Sequence, residues 1–182
     1  RKKIAPIYGE VLKAYCFDKT GDGFYRKGSL SDVTDQVLII DSRTGKLGFE
    51  LNLGKENANK TVFVLLAQYY NYPSMADAWE NMKKLLDAYA DIPLDGVQLD
   101  EYGYILLNTN DIVNGNDEVF RGRHYSKGML KYYTEKLNID LHSLLLDMRY
   151  VPEGEEKVRI KAVNTYFETL RVFPLEVEKK VY

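Results

Sequence analysis

Two neighbouring acids, Asp100 and Glu101, are the residues best placed in this sequence to do chemistry. They follow an apolar run at residues 94–99, and the chain then turns at Gly103. In parallel α/β folds, sites are built where strands end, and a carboxyl group in that partly dry mouth can exchange protons with a substrate. Alternatively, both acids are solvated or cap the turn. Because neighbouring strand residues point to opposite faces, the two need not act together.

A tyrosine-rich segment follows the preceding apolar run at residues 61–66. If the two runs are parallel neighbouring strands, this segment lies beside the acids. Tyrosine rings can stack on a sugar face, amide groups can bond its hydroxyls, and arginine can hold a carboxylate or a substrate oxygen. The alternatives are ordinary packing at a strand end and a solvated helix entry. The candidates for substrate binding are therefore Tyr69, Tyr70, Asn71, Tyr72, Tyr102, Arg123 and His124.

The spacing of apolar residues predicts the elements that position these side chains. Short apolar runs separated by glycine and aspartate turns predict strands up to residue 66. The run at residues 61–66 is apolar throughout, which predicts a strand covered on both faces, as in a parallel sheet. Apolar residues then recur every three or four positions between Met75 and Tyr89, which predicts a helix. Strand, helix and strand in about 40 residues form a βαβ unit with parallel strands.

Helical spacing returns near the end of the chain. It begins at Ser126, a short helix capped by Asp140 runs through Leu146, and a last helix includes Val158 and Leu170. The predicted fold class is therefore α/β: a β-rich zone at residues 1–60, followed by a βα segment at residues 61–182 with part of a (β/α) barrel-like arrangement.

Three other motifs favour structural roles. The stretch from Asp18 to Gly23 resembles the start of a calcium loop, but Ser29 stands where the twelfth-position glutamate is needed, so we expect a hairpin turn. The two histidines have no metal-ligand spacing, and His142 is expected on a helix surface. Cys16, the one cysteine, lies in an apolar run and is expected to be a buried thiol. No metal and no cofactor is predicted.

Composition excludes two classes of partner. The net charge is −2 and no sustained lysine or arginine stripe is present, so nucleic-acid binding is not supported. No apolar run approaches the roughly 20 residues needed to cross a bilayer. The expected partner is a carbohydrate.

The order of these features resembles large bacterial glycoside hydrolases with a TIM-barrel catalytic domain, especially the α-L-rhamnosidase-like group. In that group a strand ending in Asp-Glu precedes a helical segment, as residues 96–101 do here. The similarity covers roughly residues 61–170. Its later part rests on Phe120, Arg123, Tyr125, Leu144, Leu145, Leu146, Arg159, Tyr166 and Phe167.

The resemblance implies a hydrolase of plant or microbial polysaccharide, with Glu101 as the catalytic acid/base and Asp100 orienting it or holding substrate. Glycoside hydrolysis normally needs a second carboxyl group, about 5–5.5 Å away for retention and 6.5–9.5 Å for inversion. Its candidates are Asp95, Asp117, Glu118 and Asp147. A complete barrel takes about 250 residues, so the resemblance also implies a segment of a longer protein, located outside the cytoplasm.

Three hypotheses of different kinds remain open. The first is the hydrolase segment. The second is a non-catalytic carbohydrate-binding or protein-interaction module that uses the tyrosines, which number 15 against one tryptophan. The third is a compact α/β domain in which Asp100 and Glu101 are structural or bind a metal ion weakly.

Overall fold

The computed structural model of the chain describes residues 9–41, 48–68, 83–84, 86–92 and 125–178. Contacts group the chain into two compact units. The first comprises Arg1–Asn71 and Ile139–Phe167, and the second comprises Tyr72–Asn138 and Glu168–Tyr182. The predicted division into zones 1–60 and 61–182 rests on secondary-structure content rather than on contacts, and it stays a prediction.

The elements follow one another in a mixed order. The described strands are β1 (Gly9–Phe17), β2 (Lys19–Gly21), β3 (Phe24–Tyr25), β4 (Ser31–Asp32), β5 (Val37–Asp41), β6 (Gly48–Leu51), β7 (Thr61–Gln68) and β8 (Val151–Pro152). The helices with described bounds are α1 (Lys127–Tyr132), which continues into a π-helical turn (Tyr133–Leu137), then α2 (Leu141–Asp147) and α3 (Glu156–Glu178). Residues 83–84 and 86–88 are also helical, within the helix predicted from the apolar spacing.

The central sheet of the first unit has the order β4-β1-β7, and β1 pairs antiparallel with both neighbours. The pairing with β7 extends from Gly9 opposite Gln68 to Phe17 opposite Thr61. It is interrupted by one register shift between Val11 and Lys13. This sheet therefore positions both the start of α2 and the strand end that precedes the tyrosine-rich segment.

Strand β7 is covered on both faces, as its apolar sequence predicts. Phe63 and Leu65 pack against one buried cluster, formed by Tyr15, Phe17, Tyr25 and Leu146. The alternate residues Val62 and Val64 pack against a second, formed by Ala14, Cys16 and Val33. Its described neighbour β1 is antiparallel, since an apolar run reports burial and carries no information on strand direction. The predicted pairing with residues 94–99 lies outside the described residues.

Two smaller sheets complete the described strands. Strands β2 and β3 form an antiparallel hairpin, and β8 adds to it in parallel, with Phe24 opposite Val151. Strands β5 and β6 pair antiparallel, with Ile39 opposite Phe49. The described residues thus contain helices and three small sheets, which confirms a mixed α/β composition. They contain no closed barrel, so the barrel-like arrangement stays a proposal.

Helices α1 and α2 begin at polar caps that satisfy free backbone N–H groups. The Asp140 carboxylate accepts a hydrogen bond from the His142 backbone N–H at 3.0 Å, so the predicted cap of α2 is confirmed. In the second unit, the Ser126 hydroxyl accepts from the Met129 N–H at 3.0 Å. Helix α3 buries one stripe of side chains at helical spacing: Ala162, Tyr166, Leu170 and Phe173. Within the described part of the chain, no helix combines the length and apolar character needed to span a bilayer.

Candidate functional site

The predicted site residues lie outside the part of the chain that the structure describes. This holds for every one of the nine: Tyr69, Tyr70, Asn71, Tyr72, Asp100, Glu101, Tyr102, Arg123 and His124. Three of the four candidates for a second carboxyl group, Asp95, Asp117 and Glu118, lie outside it as well. Their roles therefore stay predictions, and the geometry below concerns the first unit.

One boundary of the predicted site is described. Strand β7 ends at Gln68, immediately before Tyr69, so the tyrosine-rich segment begins at the end of a strand. Gln68 pairs with Gly9 at the start of β1, which fixes the register of this strand end. The last described residue before the segment is therefore a paired residue of the sheet.

The stretch from Asp18 to Gly23 lies in the β2–β3 hairpin, as predicted. Gly23 has a φ angle of +77°, which favours glycine at this turn. The Asp22 carboxylate accepts a hydrogen bond from Arg149 Nη2 at 2.9 Å, and this bond lowers the pKa of Asp22. Among the described residues, no group of three or more histidine, cysteine, aspartate or glutamate side chains could hold a metal ion.

A group of polar and charged side chains lies where α2 meets β1 and β4. It contains the only described histidine and is called here the His142 cluster: Glu10, Lys13, Tyr15, Asp32, Asp140, His142 and Ser143. Residues of β1 reach it because the side chains of Lys13 and Tyr15 share the face of the sheet that α2 covers.

A chain of hydroxyl groups links the buried sheet to the cap of α2. The Ser143 hydroxyl donates to Asp140 Oδ2 at 2.6 Å, and the hydroxyls of Ser143 and Tyr15 are hydrogen-bonded to each other. Burial raises the pKa of Tyr15, and the hydrogen bond with Ser143 acts in the opposite direction.

The titratable groups of the cluster include an ion pair and a histidine. Lys13 Nζ lies 2.6 Å from Asp32 Oδ2. Burial would raise the pKa of Asp32, but hydrogen bonds from Lys13 and Thr34 outweigh it and lower that pKa to about 2. Burial also lowers the pKa of His142, although Asp140 acts in the opposite direction. At neutral pH His142 is therefore uncharged beside a charged Lys13–Asp32 pair.

The expected surface position of His142 is wrong, because α2 packs on β1 and leaves only 14% of its side chain exposed. The histidine, Ser143 and Asp140 do not form a nucleophile relay. In such a relay the serine donates to histidine, whereas Ser143 donates to the carboxylate that caps the helix. The arrangement can bind and release a proton at His142, but it does not activate a nucleophile.

Asp147 is the one candidate for a second carboxyl group that lies in the described residues. It is the last residue of α2 and is partly buried. It follows Leu146, which belongs to the buried cluster with Tyr15, Phe17 and Tyr25. Burial raises the pKa of Asp147. Burial also raises the pKa of Tyr25, and the charge of Asp147 adds to that effect. A carboxylate at the C-terminal end of a helix is also opposed by the helix dipole. A perturbed carboxyl group is a recognised mark of a functional position, and the sequence contains no local signal for its burial.

Comparisons with protein-family models, with curated proteins and with solved structures found no match to this chain.

Proposed function

We propose that this chain is a segment of a glycoside hydrolase in which Glu101 is the catalytic acid/base. The observation that carries the proposal is the sequence of residues 94–103, in which an apolar run delivers Asp100 and Glu101 immediately before a glycine turn. Asp100 orients Glu101 or holds a sugar hydroxyl. The resemblance of this run to the strand end of α-L-rhamnosidase-like enzymes supports the same assignment.

The chemistry requires a carboxyl group whose pKa is raised enough for it to donate a proton to the glycosidic oxygen. The end of a strand suits this role, because the backbone holds the side chain still while the surrounding mouth of the fold excludes part of the water. A proton donor placed in this way typically contributes 10²–10⁴-fold to the rate.

The substrate class follows from the aromatic segment. We propose that Tyr69, Tyr70 and Tyr72 stack on sugar rings, and that Asn71 bonds to their hydroxyl groups. Strand β7 ends at Gln68, the residue before this segment, and this supports that part of the proposal. Tyr102, Arg123 and His124 complete the proposed binding residues. The scaffold would be a (β/α) barrel of about 250 residues, which entails a longer parent protein.

The test uses the parent protein and a Glu101→Gln variant, assayed on a panel of aryl glycosides that includes rhamnosides. A general acid matters most when the leaving group is poor. We therefore expect kcat/KM to fall by about 10²–10⁴-fold on substrates with a poor leaving group and much less on dinitrophenyl glycosides. Glu56→Gln is the matched control, because Glu56 is an exposed glutamate in the short helix between β6 and β7.

Equal losses on both kinds of leaving group would contradict the acid/base role of Glu101. An active parent protein whose kcat/KM is unchanged by Glu101→Gln would overturn the proposal itself. A native protein too short for a barrel would also overturn it.

The second candidate is a non-catalytic carbohydrate-binding or protein-interaction module, which the high tyrosine content favours. Affinity electrophoresis on plant and microbial polysaccharides separates the two. A module of this kind would be retarded by one of the polysaccharides, and a Tyr70→Ala, Tyr72→Ala double variant would lose that retardation. Glu101→Gln would not change it.

A further inference from the structure

We propose that His142 is the proton-binding group of a pH-sensitive contact between α2 and β1, and that its protonation weakens the seating of α2 on the sheet. The proposal concerns only the first unit and does not depend on the proposed hydrolase activity. It rests on the burial of the imidazole, on the hydrogen bonds around Asp140, and on the charges that face the ring.

The contact is organised around one carboxylate. Asp140 accepts from the His142 backbone N–H at 3.0 Å and from the Ser143 hydroxyl at 2.6 Å, and Ser143 is bonded to the buried Tyr15. The His142 Nδ1 atom lies 3.8 Å from Asp140 Oδ1, too far for a hydrogen bond. The cap of α2 therefore uses the backbone N–H of His142 and not its ring.

Four charged groups of the first unit act on the pKa of His142. Glu10 and Lys13 come from β1, Asp32 comes from β4, and Asp140 comes from α2 itself. Three of these four are acids and would favour a histidine cation. Two observations weaken their effect. The Asp140 side chain is 57% exposed, so water screens it, and Asp32 is bound to Lys13 at 2.6 Å.

Desolvation therefore sets the direction in which the pKa of His142 is shifted. The His142 side chain is 14% exposed, and Lys13 repels a positive charge on it, so the pKa of His142 lies below its ordinary value of 6.5. A histidine whose folded pKa is lowered binds a proton more readily when the contact is open. The closed contact is fully stable above pH 6.5 and loses stability as the pH falls below that value.

Helix α2 is the element that responds. It has seven residues and would not be stable without its packing. Its buried side chains Leu141, Leu144, Leu145 and Leu146 hold it in place, and His142 lies in its first turn. A cation at His142 works against this packing, whereas the pairing of β1 with β7 does not involve the imidazole. We therefore expect acid to loosen α2 before it loosens the sheet.

The test combines an NMR titration of the histidine ring protons with amide hydrogen exchange at pH 5.0 and 7.5, corrected for intrinsic exchange. His142 should titrate below 6.5. The α2 amides of Leu144, Leu145 and Leu146 should lose protection at pH 5.0, by up to tenfold for each unit that the His142 pKa lies below 6.5. The amides that pair β1 with β7 should keep theirs. His142→Gln should remove the loss.

His124→Gln is the matched control, because it removes the other histidine of the chain, and it should leave the loss unchanged. In Asp147→Asn the loss should persist, which separates the effect of His142 from that of the other perturbed group on α2. A His142 pKa at or above 6.5 overturns the proposal, as does an equal loss of protection in His142→Gln or in the sheet. If His142→Gln does not fold, the wild-type titration alone decides.

Discussion

Arg159 donates a hydrogen bond from Nη2 to the carbonyl oxygen of Gly23, which ties the first turn of α3 to the β2–β3 hairpin. The Arg159 guanidinium carbon lies 4.8 Å from the centre of the Phe24 ring, a cation–π distance. Its Nε atom is buried and has no hydrogen-bond partner in the described part of the chain. The guanidinium is therefore held in place by its packing and by one backbone carbonyl.

The first prediction compares two glycines with the same backbone conformation. Gly23 and Gly28 have φ angles of +77° and +81°, so alanine is strained at either by about 1–2 kcal/mol. A Cβ at position 23 would lie 2.6 Å from Arg159 Nη2 and 3.1 Å from the Arg149 carbonyl oxygen, whereas a Cβ at position 28 meets nothing within 4 Å. We expect Gly23→Ala to be at least about 1 kcal/mol more destabilising than Gly28→Ala in urea unfolding. Equal losses would contradict the close approach of Arg159.

The second prediction concerns the aromatic core. Phe17 is fully buried. The centre of its ring lies 5.3 Å from the centre of the Tyr25 ring and 5.0 Å from the centre of the Tyr150 ring. Phe17→Ala should lower the free energy of unfolding by about 3–5 kcal/mol. Phe167→Ala is the matched control, because 46% of that residue is exposed, and it should cost about 0.5 kcal/mol. Similar losses in chemical denaturation would show that Phe17 is not in the core.

Features of the fold that depend on local sequence could be predicted, whereas features that depend on distant contacts could not. The turn at Asp22–Gly23, the cap at Asp140 and the buried Cys16 could be predicted, because each depends on local backbone chemistry or on an apolar run. The antiparallel direction of β7 and the parallel addition of β8 could not, since both depend on contacts between residues far apart in sequence.

The burial of His142 could not be predicted for the same reason. Leu145 and Leu146 lie three and four residues after His142 and share its side of the helix, but this spacing does not show which strands cover that side or how close their charged groups come. The environment of His142 is created by β1 and β4, more than a hundred residues earlier. The candidate site at Asp100 and Glu101 is predicted because these acids follow an apolar run, where parallel α/β folds build their sites. Both residues lie outside the described part of the chain.

The third prediction is an acid-dependent loss of stability at Asp32. The pKa of this residue is about 2 in the folded protein against 3.8 ordinarily, so it stabilises the fold above pH 3.8, and that contribution is lost as the pH falls toward 2. Both partners are partly exposed, 32% for Lys13 and 45% for Asp32, so Asp32→Asn should cost no more than about 1 kcal/mol at pH 7. The difference from wild type should shrink as the pH falls through about 2.

Thermal unfolding at several pH values measures this difference directly. Asp35→Asn serves as the control, because Asp35 is an exposed aspartate in the adjacent 3-10 turn. A difference between Asp32→Asn and wild type that does not change between pH 7 and pH 2 would show that the Lys13–Asp32 pair contributes nothing through its charge.

The fourth prediction is that the carboxylate of Asp147 destabilises the protein. Burial raises the pKa of Asp147 above 3.8, so its ionised form costs stability at neutral pH, and the cost disappears as the pH falls through the folded pKa toward 3.8. The unfavourable position at the C-terminal end of α2 adds to this cost. Asp147→Asn should therefore raise the free energy of unfolding at pH 7 by about 0.5–2 kcal/mol, and the gain should shrink toward pH 4.

The measurement is urea unfolding of wild type and Asp147→Asn at pH 7 and pH 4. Glu153→Gln removes an exposed carboxylate six residues later and should be neutral at both pH values. A gain in stability at Asp147 would mean that the chain carries an unfavourable buried acid, which is typical of positions kept for a role other than folding. A loss of stability would instead mean that the carboxylate has a favourable partner, and Asp147 would then be a structural residue.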